Sequence, residues 1–133
     1  MKNYTDTLRS HNLKATPQRL AITDILYAHG HISIESLYDV MIKKFSSISL
    51  ATIYKNINLM LENSFIQEVK LPNQKTVYEL TKHSHSHIMC DRCGMVNDIT
   101  IDLNAIVNTV STLENFEVSK ADLVLSGVCK NCA

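Results

Sequence analysis

The 133-residue sequence lacks the features of several special classes of protein. It has no apolar run near the ~18 residues of a membrane span, and its first ten residues, MKNYTDTLRS, contain no apolar signal core. Net charge is absent too, because 13 basic residues balance 13 acidic ones, so the whole chain is not a strongly basic nucleic-acid binder. We therefore expect a cytoplasmic protein that does not enter membranes.

Turn-forming residues and repeats are also scarce. Only 3 glycines and 2 prolines interrupt the chain, which has no internal repeat and no low-complexity tract. Hydrophobic residues make up 45% and charged residues 20%, a composition typical of folded globular proteins. A chain of this length can form one domain or two small ones.

Cysteine is missing before position 90, and this asymmetry predicts two domains. Residues 1–81 carry nine Lys and Arg against seven Asp and Glu. Residues 82–133 carry four against six, together with all 4 cysteines and three of the 6 histidines. We interpret residues 1–81 as a mildly basic domain and residues 82–133 as an acidic domain rich in potential metal ligands.

Apolar periodicity in the first domain predicts three amphipathic helices. They begin after the hydroxyl residues Thr16, Ser33 and Ser49, which can accept hydrogen bonds from a first helical turn, and Gly30 ends the first of them. A short polar helix is also predicted within residues 2–12.

Two β-rich runs, residues 65–71 and 75–80, follow the helices and predict a hairpin. Three helices and a hairpin are the outline of a winged helix-turn-helix, in which the last helix enters the major groove of DNA. A plain helical domain with a solvated polar face is the alternative. Candidate DNA contacts are Lys14, Arg19, Ser49, Ala51, Thr52, Tyr54, Lys55 and Asn56.

The cysteines form two Cys-x-x-Cys pairs, Cys90 with Cys93 and Cys129 with Cys132. Without an export signal, a disulfide framework is not expected. Four thiolates from two tight turns are a closed tetrahedral set, typical of structural Zn(II). Redox-active pairs or four unrelated thiols are the alternatives.

The sequence HSHSH at 83–87 places histidines at alternate positions, which a strand would direct to one face. His85 and His87 then form a compact pair of nitrogen ligands, with Glu79 and Asp98 nearby in sequence. Such a set suits Fe(II), Mn(II), Ni(II) or Zn(II). A solvated histidine-rich strand is the alternative.

The remainder of the second domain is predicted as a strand (96–101), a helix (103–113) and a strand (123–128). So small a sheet keeps an exposed edge, which favours pairing with a second copy. A homodimer also suits DNA recognition, because two subunits can read two half-sites.

Several segments, in order, resemble the ferric uptake regulator (Fur) family. They are ATPQRLAITDIL (15–26), HISIESLY (31–38), SLATIYKNINLMLE (49–62), YEL (78–80), HSHIMCDRCGMVNDI (85–99) and GVCKNC (127–132). The resemblance implies an α+β protein with an N-terminal winged helix-turn-helix and a small C-terminal α/β dimerisation domain. It also implies a homodimeric, metal-dependent bacterial repressor that binds double-stranded operator DNA.

The resemblance implies the ligand sets as well. Structural zinc would be held by Cys90, Cys93, Cys129 and Cys132. Regulatory Fe(II) or Mn(II) would be held by His31, Glu79, His85, His87 and Asp98. One ion bound by ligands of both domains would couple metal binding to DNA binding, so that each favours the other.

Within the family, the ligands look most like those of the peroxide-responsive repressor (PerR) branch. Asp98 stands where iron-sensing members usually carry Glu, and the spacing from Glu79 to His85 is similar. This branch implies sensing of hydrogen peroxide through iron-catalysed oxidation of a ligand histidine, His85 or His87.

Two residues depart from that branch: Glu79 replaces an Asp and Lys55 replaces an Asn. An iron-responsive regulator of metal uptake is therefore the alternative. A non-haem iron enzyme is a remote alternative, and a zinc-stabilised protein-interaction module is another. We expect no enzyme activity, and no small-molecule ligand besides metal ions and peroxide.

Overall fold

The computed structural model describes residues 3–133, so Met1 and Lys2, which fall in the predicted first domain, lie outside the described residues. The chain divides into two compact units, one ending at Lys82 and one beginning at His83. The elements are α1 (Thr5–Ser10), α2 (Pro17–His29), α3 (Ile34–Lys44), α4 (Leu50–Glu62), β1 (Ile66–Val69), β2 (Val77–Leu80), β3 (Ser86–Cys90), β4 (Val96–Ile99), α5 (Asn104–Leu113) and β5 (Val124–Gly127).

The helix starts of the first unit follow from hydroxyl caps. In α2, α3 and α4 the cap oxygen accepts the backbone N–H three residues on, at 3.3, 3.3 and 3.1 Å. The three predicted caps, Thr16, Ser33 and Ser49, are thereby confirmed. Gly30 ends α2 as predicted, and its φ of 76° is a left-handed conformation that glycine adopts without strain.

The short N-terminal helix α1 is confirmed but is not purely polar. Leu8 is completely buried, and Tyr4 just before the helix is buried as well. These two side chains join the core of the first unit. Its fully buried members also include Ile22, Leu26, Leu37, Met41, Ile53, Ile57 and Met60. Burial of each such side chain contributes about 1.5–3 kcal/mol, so this core is the main source of the unit's stability.

The predicted hairpin forms, with strands shorter than the β-rich runs. β1 and β2 are antiparallel, in a register that places Gln67 opposite Glu79. Ile32 adds a short bridge to the other side of β2: its N–H donates to the Tyr78 carbonyl at 3.1 Å, and the Tyr78 N–H donates back at 2.8 Å. This bridge places His31 beside the strand that carries Glu79.

The second unit is a three-stranded sheet with one helix. Its strand order is β4-β3-β5, with β4 antiparallel and β5 parallel to the central β3. Within the described residues β4 and β5 are therefore both edge strands. The predicted strand–helix–strand sequence after the first cysteine pair is confirmed, with each element slightly shorter.

Helix α5 is exposed or half-buried along its whole length. Its apolar stripe continues past the helix end to Phe116, which is 60% exposed, and Leu113 is 75% exposed. An amphipathic helix normally buries such a stripe against another element. This apolar stripe is thus a surface on which a partner could pack.

Together these elements give the predicted α+β class: a winged helix-turn-helix unit followed by a small α/β unit. None of the helices between residues 3 and 133 has the length and apolar character to span a membrane.

Candidate metal centres and nucleic-acid interface

The four cysteine sulfurs converge in the second unit, all within 4.8 Å of one another. Cys90 ends β3 and Cys129 follows β5, so the parallel pairing of these strands brings the two Cys-x-x-Cys turns together. A tetrahedron with Zn–S bonds of about 2.3 Å has sulfur–sulfur edges of about 3.8 Å. The Sγ atoms of Cys93 and Cys129 are 3.8 Å apart, and all four residues are thiols rather than disulfides. This arrangement fits Zn(II).

Backbone N–H groups favour the thiolate form of one cysteine in this cluster. The N–H groups of Cys93 and Cys129 point at the Cys90 sulfur from 3.5 and 3.3 Å, and they lower the pKa of the Cys90 thiol to about 6. The hydrogen bond shared with Cys129 raises the pKa of Cys132 to about 12. Four thiolates this close repel one another, and a divalent cation relieves that repulsion. Arg92 also donates to the Cys132 carbonyl at 2.8 Å, which holds the second turn in place.

A buried His–carboxylate pair lies in the first unit. The Nε2 atom of His31 is 2.8 Å from Oε2 of Glu79, and the Glu79 side chain is completely buried. Gln67, on the neighbouring strand, donates from Nε2 to Oε1 of Glu79 at 2.6 Å. Sequence reasoning missed Gln67, because its role depends on the hairpin register that places it opposite Glu79.

The second unit brings His85, His87 and Asp98 together. His87 and Asp98 are register partners on β3 and β4, and Nε2 of His87 is 3.4 Å from Oδ1 of Asp98. Nε2 of His85 lies 3.8 Å from the same oxygen, and the two imidazole centroids are 4.6 Å apart. Nitrogen and carboxylate donors of this kind suit Fe(II), Mn(II), Ni(II) or Zn(II).

The predicted strand alternation of the histidines is wrong in part. β3 begins at Ser86, so of the three histidines only His87 lies on the strand, and His83 is exposed. His85 is held differently: its Nδ1 is 2.8 Å from the carbonyl oxygen of His83. Because that oxygen only accepts, Nδ1 is the donor, and Nε2 is the ring nitrogen that a neutral imidazole would offer to a metal ion. Metal-binding histidines are commonly oriented through such a bond.

The exposed face of α4 carries part of the predicted DNA-contacting set. Ala51 and Lys55 are exposed, and Tyr54 is 43% exposed. Thr52 is half-buried, and Ser49 uses its oxygen as the helix cap. Small and polar groups at the start of a helix can approach base edges and phosphates. Lys14, which precedes α2, is exposed as well.

Two of the predicted DNA-contacting residues make hydrogen bonds inside the first unit. The Asn56 side chain is buried, and its Oδ1 accepts a hydrogen bond from Nε of Arg19 at 3.1 Å. Arg19 also donates from Nη1 to the Lys14 carbonyl at 3.1 Å. The Asn56 amide is buried and bonded to Arg19 in this structure, and its contact with DNA stays a prediction. Through these two hydrogen bonds Arg19 connects α4 to the segment just before α2.

The sequence profile of the "Ferric uptake regulator family" matches residues 10–126 of this chain. The chain belongs to the Fur family. The "Peroxide-responsive repressor PerR" of Staphylococcus aureus (strain Mu50) is 30% identical over 128 residues, which span 95% of this chain and 86% of that protein. The solved Campylobacter jejuni peroxide stress regulator is 34% identical with a TM-score of 0.75, covering 98% of this chain and 100% of that one. The Vibrio cholerae ferric uptake regulator is 30% identical with a TM-score of 0.77, covering 96% and 100%.

The Fur family is one of metal-responsive transcriptional regulators, and this chain is a member along nearly its whole length. Both peroxide regulators and ferric uptake regulators occur among its relatives. Family membership thus establishes the class of protein. It does not identify the signal, which depends on the residues that would bind the metal.

Proposed function

We propose that this Fur-family protein is a homodimeric repressor that binds operator DNA when a regulatory Fe(II) or Mn(II) is bound. The observation that carries the proposal is the buried Glu79 carboxylate, 2.8 Å from the imidazole of His31. A buried carboxylate is costly unless a cation or strong donors compensate it. Gln67 and His31 already lie against this carboxylate, and a divalent ion bound by His31 and Glu79 would balance its remaining charge.

The regulatory ion is proposed to take ligands from both units. The ligands are His31 and Glu79 from the first unit and His85, His87 and Asp98 from the second. An ion shared in this way would fix one arrangement of the units and so set the position of α4 for DNA. By linkage, metal and DNA would each strengthen binding of the other, with a typical coupling of ~1–3 kcal/mol, or roughly 5–150-fold.

Structural zinc in the cysteine cluster completes the second unit in this proposal. It would join the C-terminal turn to the end of β3, since Cys132 and Cys90 lie at those two places. The set is closed, so the ion would have no open position and no part in sensing.

A homodimer is supported by the apolar stripe of α5 and by the two edge strands of the sheet. A second copy would cover the stripe and could extend the sheet. The pair would then present two α4 helices to two half-sites of double-stranded DNA. Proposed contacts are Lys14, Ala51, Thr52, Tyr54 and Lys55, with Ser49 acting as the cap that sets the start of α4. As a regulator of chromosomal genes, the protein is proposed to act in the cytoplasm.

The signal is proposed to be hydrogen peroxide, as the resemblance to the PerR branch implies. When bound, Fe(II) supplies the redox chemistry that activates peroxide. The chain supplies the group oxidised, the imidazole of His85 or His87. Peroxide takes two electrons from the ring, one of its oxygens enters a ring C–H bond, and the other leaves as water. The altered ring would bind metal poorly, and loss of the ion would release the DNA.

An iron-responsive regulator of metal uptake is the second candidate. Glu79 favours it, because this residue departs from the Asp of the peroxide-sensing branch. The proposal includes no enzymatic turnover, in keeping with a family of transcriptional regulators. Oxygen consumption with a co-substrate would contradict that part of it.

The His31→Ala variant tests the proposal directly. Operator duplexes are first selected from a random-sequence library with the Mn(II)-loaded wild-type protein. His31→Ala should lose metal-activated binding to them while keeping its zinc content and its fold. The matched control is His29→Ala, an exposed histidine at the end of α2, which should bind like the wild type. Unchanged metal-activated binding by His31→Ala would contradict the shared-ion mechanism.

A further inference from the structure

Gln67 is a polar side chain aimed at a buried carboxylate, and neither the family resemblance nor the proposed ligand set includes it. It lies on β1 directly opposite Glu79 on β2. Its Nε2 is 2.6 Å from Oε1 of Glu79. The amide must present its nitrogen here, because the reversed orientation would set a carbonyl oxygen against a carboxylate oxygen.

The two oxygens of Glu79 therefore have different neighbours. Gln67 donates to Oε1, whereas Oε2 lies 2.8 Å from Nε2 of His31. A hydrogen bond to a charged acceptor is short and about twice as strong as one between neutral groups. Such a bond holds the carboxylate in one rotamer and lowers the electron density that Oε1 can offer to a cation.

We propose that Gln67 is a positioning residue that makes Glu79 a one-oxygen ligand, offering Oε2 to the regulatory ion that His31 binds. The inference rests on the proposed function in one respect, the role of Glu79 as a ligand. A carboxylate that binds through both oxygens fills two coordination positions, whereas one held in this way fills one. Gln67 would thus influence how tightly the site binds the ion, by fixing which oxygen Glu79 offers.

The backbone pairing of the hairpin does not need this side chain. β1 and β2 are joined through main-chain groups from Ile66↔Leu80 to Val69↔Val77. Replacing the amide should therefore leave the hairpin register intact. The substitution should instead change how Glu79 is held, and measurements of metal binding would detect that change.

The test compares Mn(II) affinity, the electron paramagnetic resonance spectrum of bound Mn(II), zinc content and melting temperature in purified proteins. Gln67→Met keeps the length of the side chain and removes its donor, and Gln67→Ala removes both. Gln74→Ala is the matched control, because Gln74 is an exposed glutamine in the turn of the same hairpin. Glu79→Gln tests separately whether Glu79 is a ligand.

We expect Gln67→Met and Gln67→Ala to bind Mn(II) about 10–100-fold more weakly, the usual effect of losing an outer hydrogen-bond partner of a metal ligand. The Mn(II) spectrum should change, since Glu79 is then no longer held in the rotamer that presents Oε2. Zinc content should stay at the wild-type level, and Gln74→Ala should match the wild type throughout. If one variant fails to fold, the other still gives the result.

Two results would overturn the inference in distinguishable ways. If Glu79→Gln binds Mn(II) as tightly as the wild type, Glu79 is not a ligand, and the proposed function fails with the inference. If Glu79→Gln loses Mn(II) but both Gln67 variants keep wild-type affinity and spectrum, the ligand set stands and the role of Gln67 is wrong.

Discussion

Removal of the Arg19 guanidinium should weaken DNA binding by displacing α4, without loss of a phosphate contact. Arg19 donates to Asn56 on α4 and to the carbonyl of Lys14 before α2, each at 3.1 Å. The Arg19→Met variant removes both donors and keeps most of the side-chain stem. Asn56 Oδ1, in a buried side chain, is then left without this donor.

The size of the effect follows from these two contacts. A hydrogen bond from a charged donor contributes about 1.5–3 kcal/mol, and the lower end applies because Arg19 is half-buried. We therefore expect Arg19→Met to destabilise the first unit by about 2–3 kcal/mol. For a unit of this size, that corresponds to a melting temperature lower by roughly 10–20 °C. Thermal and urea unfolding of the full-length protein measure both quantities.

Salt dependence separates a positioning role from a phosphate contact. Each phosphate contact contributes about 0.9 to the slope of log K against log salt concentration. Arg19→Met should weaken operator binding with an unchanged slope, whereas Lys14→Met should reduce the slope by about 1 if the exposed Lys14 contacts a phosphate. Asn56→Leu combined with Arg19→Met should add little to the loss, because the pair forms one link. A reduced slope with unchanged stability in Arg19→Met would refute the positioning role.

Three further predictions concern the second unit. Cys93→Ser should lose zinc and the dimer, since binding of structural zinc contributes about 10–16 kcal/mol to the folding of small domains. A stable zinc-free dimer, detected by mass spectrometry and ultracentrifugation, would contradict this. In reduced, zinc-free protein whose circular dichroism shows the second unit still folded, the first thiolate should appear at 240 nm near pH 6 and be absent in Cys90→Ser, because backbone donors lower the pKa of Cys90 from 9.0 to about 6. The stability this thiolate contributes should be complete above pH 9 and lost as pH falls through 6; a first transition near pH 9 would argue against those donors. Leu113→Asp should dissociate the dimer but leave the monomer folded, because Leu113 is 75% exposed; an unchanged sedimentation coefficient would exclude α5 from the interface.

Features set by neighbouring residues could be predicted from the sequence. The caps Thr16, Ser33 and Ser49 each bond within one helical turn, so a short segment contains all the information needed. The four cysteines were predictable for a related reason. Each short Cys-x-x-Cys motif places its own two sulfurs close together. The parallel pairing of β3 with β5 then brings the two motifs together.

Features set by distant residues were missed. Arg19 and Asn56 are 37 positions apart, and their contact depends on the packing of α2 against α4, which periodicity does not specify. Gln67 faces Glu79 only in one hairpin register. His85 was placed on a strand because alternation cannot locate the first residue of a strand, which is Ser86. For Arg19 and Gln67 an interaction across the fold decided the role of the side chain, whereas for His85 the exact start of a strand decided it.

Peroxide treatment of the metal-loaded protein tests the central claim most directly. Anaerobically purified protein is loaded with Fe(II) or Mn(II), bound to selected operator DNA, and treated with low hydrogen peroxide. The peptide that contains His85 and His87 is then analysed by mass spectrometry. The account predicts loss of DNA binding in the iron form alone, with one oxygen added to a histidine. Binding that follows metal supply, ignores peroxide and leaves both histidines unmodified would contradict it and identify a regulator of metal uptake.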